Sequence, residues 1–298
     1  MENTHYANDA WGKTQFAIMF EQKFATARWS TRPRAWEISD SRRLARVSRE
    51  TIMARSPIVL LHGAFSHAGH FAGWTKLFLK AGFECHAPSL PGHTPSDPGE
   101  LASLTLNDYL VALHREIVKL DAPPVLVGHS MGGLLAQQLA TIVPCAALIC
   151  VASVPPWMLV PQIRALPFLA PVIPAILSGR PIHLTETTFR ELFVHDLPGE
   201  EQHQLISSFG AESGRAFRAM ILGLARLPGK RFQGATLCLS GGEDRIVSSR
   251  TSKAIARYYG ARHEVFPRRG HWLIASSAER EVAGSVMRWL EEYAQSDP

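Results

Sequence analysis

Residues 125–140 read VLVGHSMGGLLAQQLA. A β-branched apolar run stops at Gly128, one serine stands between a histidine and a methionine, two glycines follow, and a helical pattern takes over. This is the pattern G-x-S-x-G, carried by Gly128, His129, Ser130, Met131 and Gly132. A strand-to-helix turn this sharp strains the backbone at the serine, and side chains two residues to either side would collide with neighbouring elements. Hence the glycines. The turn also lifts Oγ out at the carboxyl edge of the sheet, beside the positive end of the next helix, where an alkoxide or oxyanion is favoured.

Working outward, SPIVLL (56–61) reads as a buried strand entering the loop HGAF (62–65), and 71–82 as a helix closed by glycine. FECHAPS (83–89) follows as a strand, 106–120 as a helix, PVLVGHS (124–130) as a strand and 132–142 as a helix. The rhythm resumes with strands at 145–153, 235–244 and 263–267 and a closing helix at 278–293. Alternating strands and helices predict a mostly parallel sheet covered on both faces. Residues 154–232 break the pattern. Prolines at 155, 156, 161, 167, 171 and 174 forbid one long helix, while Phe217, Met220, Ile221 and Leu224 form a stripe opposite Arg215, Arg218 and Arg226. An insertion of this length reads as a folded cap.

A serine hydroxyl is a poor nucleophile near neutrality, so Ser130 needs a base within hydrogen-bond reach and the base needs an orienting partner. Among thirteen histidines His271 stands out, in RRGHWL just past the last predicted strand. His129 reads as packing support and His62 as a shaper of its own loop. His67 and His70 have a spacing that suits a metal, but no nearby Cys, Asp or Glu completes a set, so no metal is expected. The orienting acid is expected at Asp244, in SGGEDRIV and 27 residues before His271, with Glu243 its adjacent competitor. The chain order Ser, Asp, His suits this type of sheet. An oxyanion needs two backbone N–H donors. Met131 is expected to supply one and Ala64 the other, with Phe65 as fallback.

The chain has 298 residues, 46% of them apolar and 19% charged, enough for a sizeable core in one α/β unit. Cys85, Cys145, Cys150 and Cys238 lie in apolar runs without CxxC spacing, which reads as buried free thiols in a reducing compartment. The first thirty residues lack a signal-peptide pattern and no apolar run could span a bilayer, so a cytoplasmic protein without stable membrane insertion is expected. The net charge of +5 is uneven: residues 1–56 hold ten Lys/Arg against six Asp/Glu, a local +4. No nucleic-acid-binding spacing accompanies it.

The motifs LLHGAF, APSLPGHTPSD (87–97), LVGHSMGG, SGGEDRIV and GHW occur in the order and rough spacing of the α/β-hydrolase superfamily, which the sequence resembles from about Pro57 to Tyr293. The resemblance implies an α/β-hydrolase fold with a mostly parallel eight-stranded sheet and a helical cap inserted after strand 6. It carries nucleophile, acid and base over to Ser130, Asp244 and His271, and oxyanion donors to Ala64 and Met131. Two departures stand out: Ser89 and Thr94 replace the acid and the second glycine of the family's loop after its fourth strand, and the arm before Pro57 is longer than usual. The expected division is an extension at 1–55, a core at 56–153 and 233–298, and a cap at 154–232.

The expected activity is cofactor-free hydrolysis of a carboxylic ester of a small to medium, largely apolar substrate. An alternative is cleavage of a C–C bond, lactone or amide in an anionic substrate, with Arg164, Arg180, Arg190, Arg215 or Arg218 pairing with its carboxylate. A non-catalytic ligand-binding member of the fold is the third reading. Phe65, Trp157, Phe168 and Phe217 are expected to line the substrate pocket. The expected partner is a small molecule rather than nucleic acid, and a homo-oligomer is left open.

Overall fold

The computed structural model describes residues 56–94 and 101–295. The extension expected at 1–55 lies outside the described residues. Six strands form one sheet: β1 (Ile58–Leu61), β2 (Cys85–His86), β3 (Val125–His129), β4 (Ala147–Val151), β5 (Ala235–Gly241) and β6 (Arg262–Phe266). All pairings are parallel, in the order β2-β1-β3-β4-β5-β6. Every residue of β1, β3 and β4 is buried, as expected of parallel strands covered on both faces, which is why these runs are continuously apolar. Helices α1 (Ala72–Lys80), α2 (Leu106–Ile117) and α3 (Met131–Leu139) connect the first four strands.

The strand order reverses at β1: the chain goes out to β2, then returns to pair β3 on β1's other side. Such a reversal opens a crevice at the carboxyl ends of the two diverging strands, where ligands bind in open α/β sheets. Register places Leu61 beside Gly128, so the HGAF loop after β1 and Ser130 after β3 leave the sheet side by side.

One expectation needs correction, and one count differs among the described residues. FECHAPS contributes only two paired residues, because β2 is a half-buried edge strand and Pro88 has no N–H with which to extend the ladder. The described residues hold six strands, not eight. The insertion accordingly leaves after β4, the fourth strand here.

Between β4 and β5 the chain leaves the sheet. A helical run from Ile163 to Ser178 proceeds in short pieces that end in α4 (Ile173–Ser178), with Pro167, Pro171 and Pro174 each in the first turn of a new piece, where a missing N–H costs no hydrogen bond. A π-helical turn (Phe189–Phe193), α5 (Gly199–Ser208) and α6 (Gly214–Ile221) follow. Helices α7 (Ser249–Tyr259) and α8 (Ser276–Gln295) complete the core. The four cysteines are free; Cys150 and Cys238 are buried side by side on β4 and β5, while Cys85 and Cys145 are only half-buried.

Helix α2 starts at a reciprocal cap: the Asp108 N–H donates to Thr105 Oγ1, and Asp108 Oδ2 accepts from the Thr105 N–H at 2.9 Å. Thr105→Ala removes one half of this box, at a cost of about 1 kcal/mol. The expected reading is a fall in Tm of about 2–4 °C with activity unchanged. An unaltered melting curve means that solvent satisfies the freed amide equally well.

Candidate active site

The sequence at 128–132 dictates the geometry of the elbow. Ser130 has φ 54° and ψ −118°, a left-handed conformation held by packing on both sides. A Cβ on Gly128 would collide with the carbonyl of Gly132, and one on Gly132 would collide with the carbonyl of Leu61. Ser130 donates its N–H to the Val151 carbonyl, so the turn is fastened to β4.

The loops after β5 and β6 bring two further side chains to this edge. His271 Nε2 lies 3.1 Å from Ser130 Oγ, and His271 Nδ1 lies 2.8 Å from Asp244 Oδ2. All three residues are buried. Asp244 Oδ1 accepts from the N–H groups of Ile246 and Val247 at 2.7 and 2.9 Å, so one oxygen is anchored to backbone and the other is aimed at the imidazole. Glu243 does not enter the line. Its carbonyl lies 3.1 Å from His195 Nε2.

His129 does not face the serine hydroxyl. Its Nε2 donates to the His271 carbonyl at 3.0 Å, and burial together with the nearby His271 lowers its pKa to about 3, so it is a neutral brace. His62 donates from Nδ1 to the Gly63 carbonyl and accepts the Leu90 N–H on Nε2, tying the HGAF loop to the loop after β2. Burial and the neighbouring His93 lower its pKa well below 6.5. His70 is spanned by Ser66 and Ser208, and among the described residues no cluster of His, Cys, Asp and Glu could hold a metal.

The N–H groups of Ala64 and Met131 have no acceptor among the described residues. The amide of Phe65 is engaged, 3.4 Å from Glu212 Oε2, which leaves Ala64 rather than Phe65 free to serve a ligand. Ala64, Phe65 and Ser130 open into a cavity of about 200 Å³, walled by Leu159, Leu169, Ile176, Leu192, Phe193 and Phe217 among other apolar side chains.

Two residues expected here lie elsewhere. Trp157 is partly exposed, packs edge-on against Tyr258 and does not line the cavity. Phe168 is half-buried but absent from the wall: Leu166 and Leu169, three residues apart on one helical face, take the inward positions and turn Phe168 aside. Nor does any of the five arginines reach the cavity. Arg190 pairs with Glu186, Arg218 donates to the Leu177 carbonyl and Arg180 to Ser178.

The sequence reading missed Glu212. This carboxylate is completely buried and carries four partners: Tyr109 Oη at 2.7 Å, the Ser213 N–H at 2.7 Å, His93 Nε2 at 3.0 Å and the Phe65 N–H. Its backbone bridges Ile182, so one residue ties the insertion to α2, to the PGH loop and to the loop that holds Ala64. The one available signal was its isolation, as the sole acid between Glu201 and Glu243. Phe193 was missed too; its ring meets His271 edge-on at 5.8 Å.

The profile of the alpha/beta hydrolase family matches residues 58–285. The chain belongs to this family. As a member, it is 29% identical over 163 residues to a pyrethroid hydrolase of Sphingobium wenxiniae, covering 50% of this chain and 58% of that protein. It is 29% identical over 166 residues to a pimeloyl-[acyl-carrier protein] methyl ester esterase of Xanthomonas oryzae, covering 55% and 49%. The match thus spans about half the length of these relatives. Among solved structures, a pyrethroid hydrolase from Sphingobium faniae superposes with a TM-score of 0.61 at 20% identity, over 81% of this chain and 99% of that one. A methylesterase from Arabidopsis does so with a TM-score of 0.63 at 16% identity, over 80% and 99%. At such identities these likenesses establish the shared fold.

Proposed function

We propose that this protein hydrolyses carboxylic esters of small to medium, largely apolar substrates through an acyl-enzyme. The observation that carries the reading is the unbroken line Ser130 Oγ, His271, Asp244, standing at the mouth of an apolar cavity. Ser130 attacks the carbonyl carbon, His271 Nε2 takes the hydroxyl proton and returns it to the leaving alcohol, and the Asp244 carboxylate holds the Nδ1–H tautomer and stabilises the imidazolium. The Met131 and Ala64 amides receive the oxyanion. Water then enters, His271 takes its proton, and the acid is released with Ser130 restored.

Ester-cleaving relatives, among them a methyl ester esterase, support the choice of bond. The apolar wall argues against an anionic substrate, since a carboxylate there would lose its hydration without meeting a cation. The test is turnover of p-nitrophenyl esters from acetate to laurate. The expected result is a rise in kcat/KM with chain length until the cavity is full, then a fall. Phe217→Trp, which narrows the wall, lowers kcat/KM for the longest accepted chain roughly tenfold and leaves acetate within about twofold. No turnover of any ester by the intact chain would overturn the reading.

A further inference from the structure

Nine of the eleven large apolar side chains exposed among the described residues fall between Trp157 and Leu224. Two of them, Leu166 and Ile173, line the cavity. Ile163, Leu166, Ile173 and Leu177 recur at spacings of three, seven and four along one helical run, so they share a face. Leu166 and Ile173 both line the cavity and stand half in solvent, and Val160 flanks the lining Pro161. Ile163 is 86% exposed, Val160 70% and Leu177 65%. An apolar concentration of this kind marks a surface that meets something.

Charge indicates what. Arg164 adjoins Ile163 at one end of the stripe. At the other, Arg218 donates to the Leu177 carbonyl, Arg215 lies over Gly179, and Arg180 follows directly. No Asp or Glu occurs at 154–185 or 213–234. We propose that this face docks peripherally on an anionic lipid surface, the aliphatic stripe entering the headgroup boundary and the arginines meeting lipid phosphates, with the cavity mouth turned toward the membrane. Apolar side chains rimmed by cations are the composition of an interfacial binder. A second copy fits worse, because a two-fold contact would set arginines against arginines. Residues 1–56 carry the same sign, +4, and are repelled likewise. A soluble acidic protein would engage the rim but leave the stripe in water. No helix among the described residues is long and apolar enough to span a bilayer, so the contact is a docking and not an insertion.

Flotation of the full chain with vesicles tests this, using phosphatidylcholine alone and with about 30% phosphatidylglycerol. Binding is expected on the anionic vesicles, to fall at high salt, and to be unchanged in Ser130→Ala, since it requires no turnover. Ile163→Ser with Leu177→Ser lowers the partition coefficient tenfold or more, on the order expected for two exposed aliphatics. Arg164→Gln with Arg180→Gln lowers it roughly thirty-fold. Neither pair touches the cavity, so ester turnover stays at the wild-type level and reports intact folding. Equal flotation with and without vesicles overturns the proposal. So does a stripe variant that binds like the wild type while the arginine variant does not, which reduces the contact to surface charge without docking of the stripe, or a stable dimer that covers the face.

Discussion

Ser130→Ala lowers kcat/KM for p-nitrophenyl butyrate by about 10⁴- to 10⁶-fold without a change in fold. The magnitude follows from how such groups act together: once the nucleophile is gone, the base and its acid have nothing to activate, and only substrate binding and the oxyanion donors persist. The Ser130 hydroxyl makes one side-chain hydrogen bond, to His271 Nε2, and the backbone N–H that fastens the elbow is untouched by the change. Thermal unfolding of the variant should therefore match the wild type within about 1 °C, the scale of a change well below 1 kcal/mol. Steady-state turnover on active-site-titrated protein is the measurement. Equal rates in the two proteins would place the chemistry elsewhere and end the acyl-enzyme mechanism.

The second large effect is expected at Glu212, far in sequence from every catalytic motif. Glu212→Ala strands the Tyr109 hydroxyl and the amides of Phe65 and Ser213 in a buried site, and a loss of about 3–5 kcal/mol is expected. Because Phe65 is held at φ 62° next to Ala64, the freed loop also lets the Ala64 amide, the proposed second oxyanion donor, drift. A fall in kcat toward a hundredfold follows.

Glu212→Gln keeps the shape and removes the charge, which separates the two contributions through pH. Burial pulls the His93 pKa down, but attraction to Glu212 and hydrogen bonds to Glu212 and to the Pro91 carbonyl overcome it, so the folded-state value lies above the ordinary 6.5. The folded chain therefore binds this proton more tightly than the unfolded chain. The resulting stability is fully present below about pH 6.5 and is lost as pH rises through the folded-state pKa of His93. In Glu212→Gln the attraction to a carboxylate is gone, burial outweighs the remaining hydrogen bond to the Pro91 carbonyl, and the sign reverses. Denaturant unfolding at pH 5.5 and 8.5 reads the difference: wild type and variant should lie farther apart at the lower pH. A gap of equal size at both would show that His93 and Glu212 are not linked.

The core of this site was legible because its signals are local. A GHSMGG turn between a β-branched run and a helical pattern admits few conformations, since Gly128 and Gly132 sit where a Cβ meets neighbouring backbone. Asp244 and His271 each follow a strand at the same edge of a parallel sheet, and chain order alone brings them toward Ser130. Which of the Ala64 and Phe65 amides is engaged within the fold was not local. It depended on whether a carboxylate 147 residues away would engage the Phe65 amide.

The insertion between β4 and β5 shows the limit most clearly. Its prolines announced a broken helix, and the helical run from Ile163 to Ser178 is broken at them. Its aromatics did not announce their direction: Phe217 faces the cavity while Trp157 lies against Tyr258. Nor did its arginines reveal that they rim an outer surface instead of a binding site.

By itself the sequence determined the strand alternation, the elbow and the three side chains of the hydrogen-bonded line, because each is written in a short stretch whose backbone has one acceptable geometry. Only the tertiary structure decided what walls the cavity, which amide stays free and where the buried charge of Glu212 is neutralised. Those outcomes depend on which distant segments share a boundary, and apolar or charged character alone does not specify a neighbour.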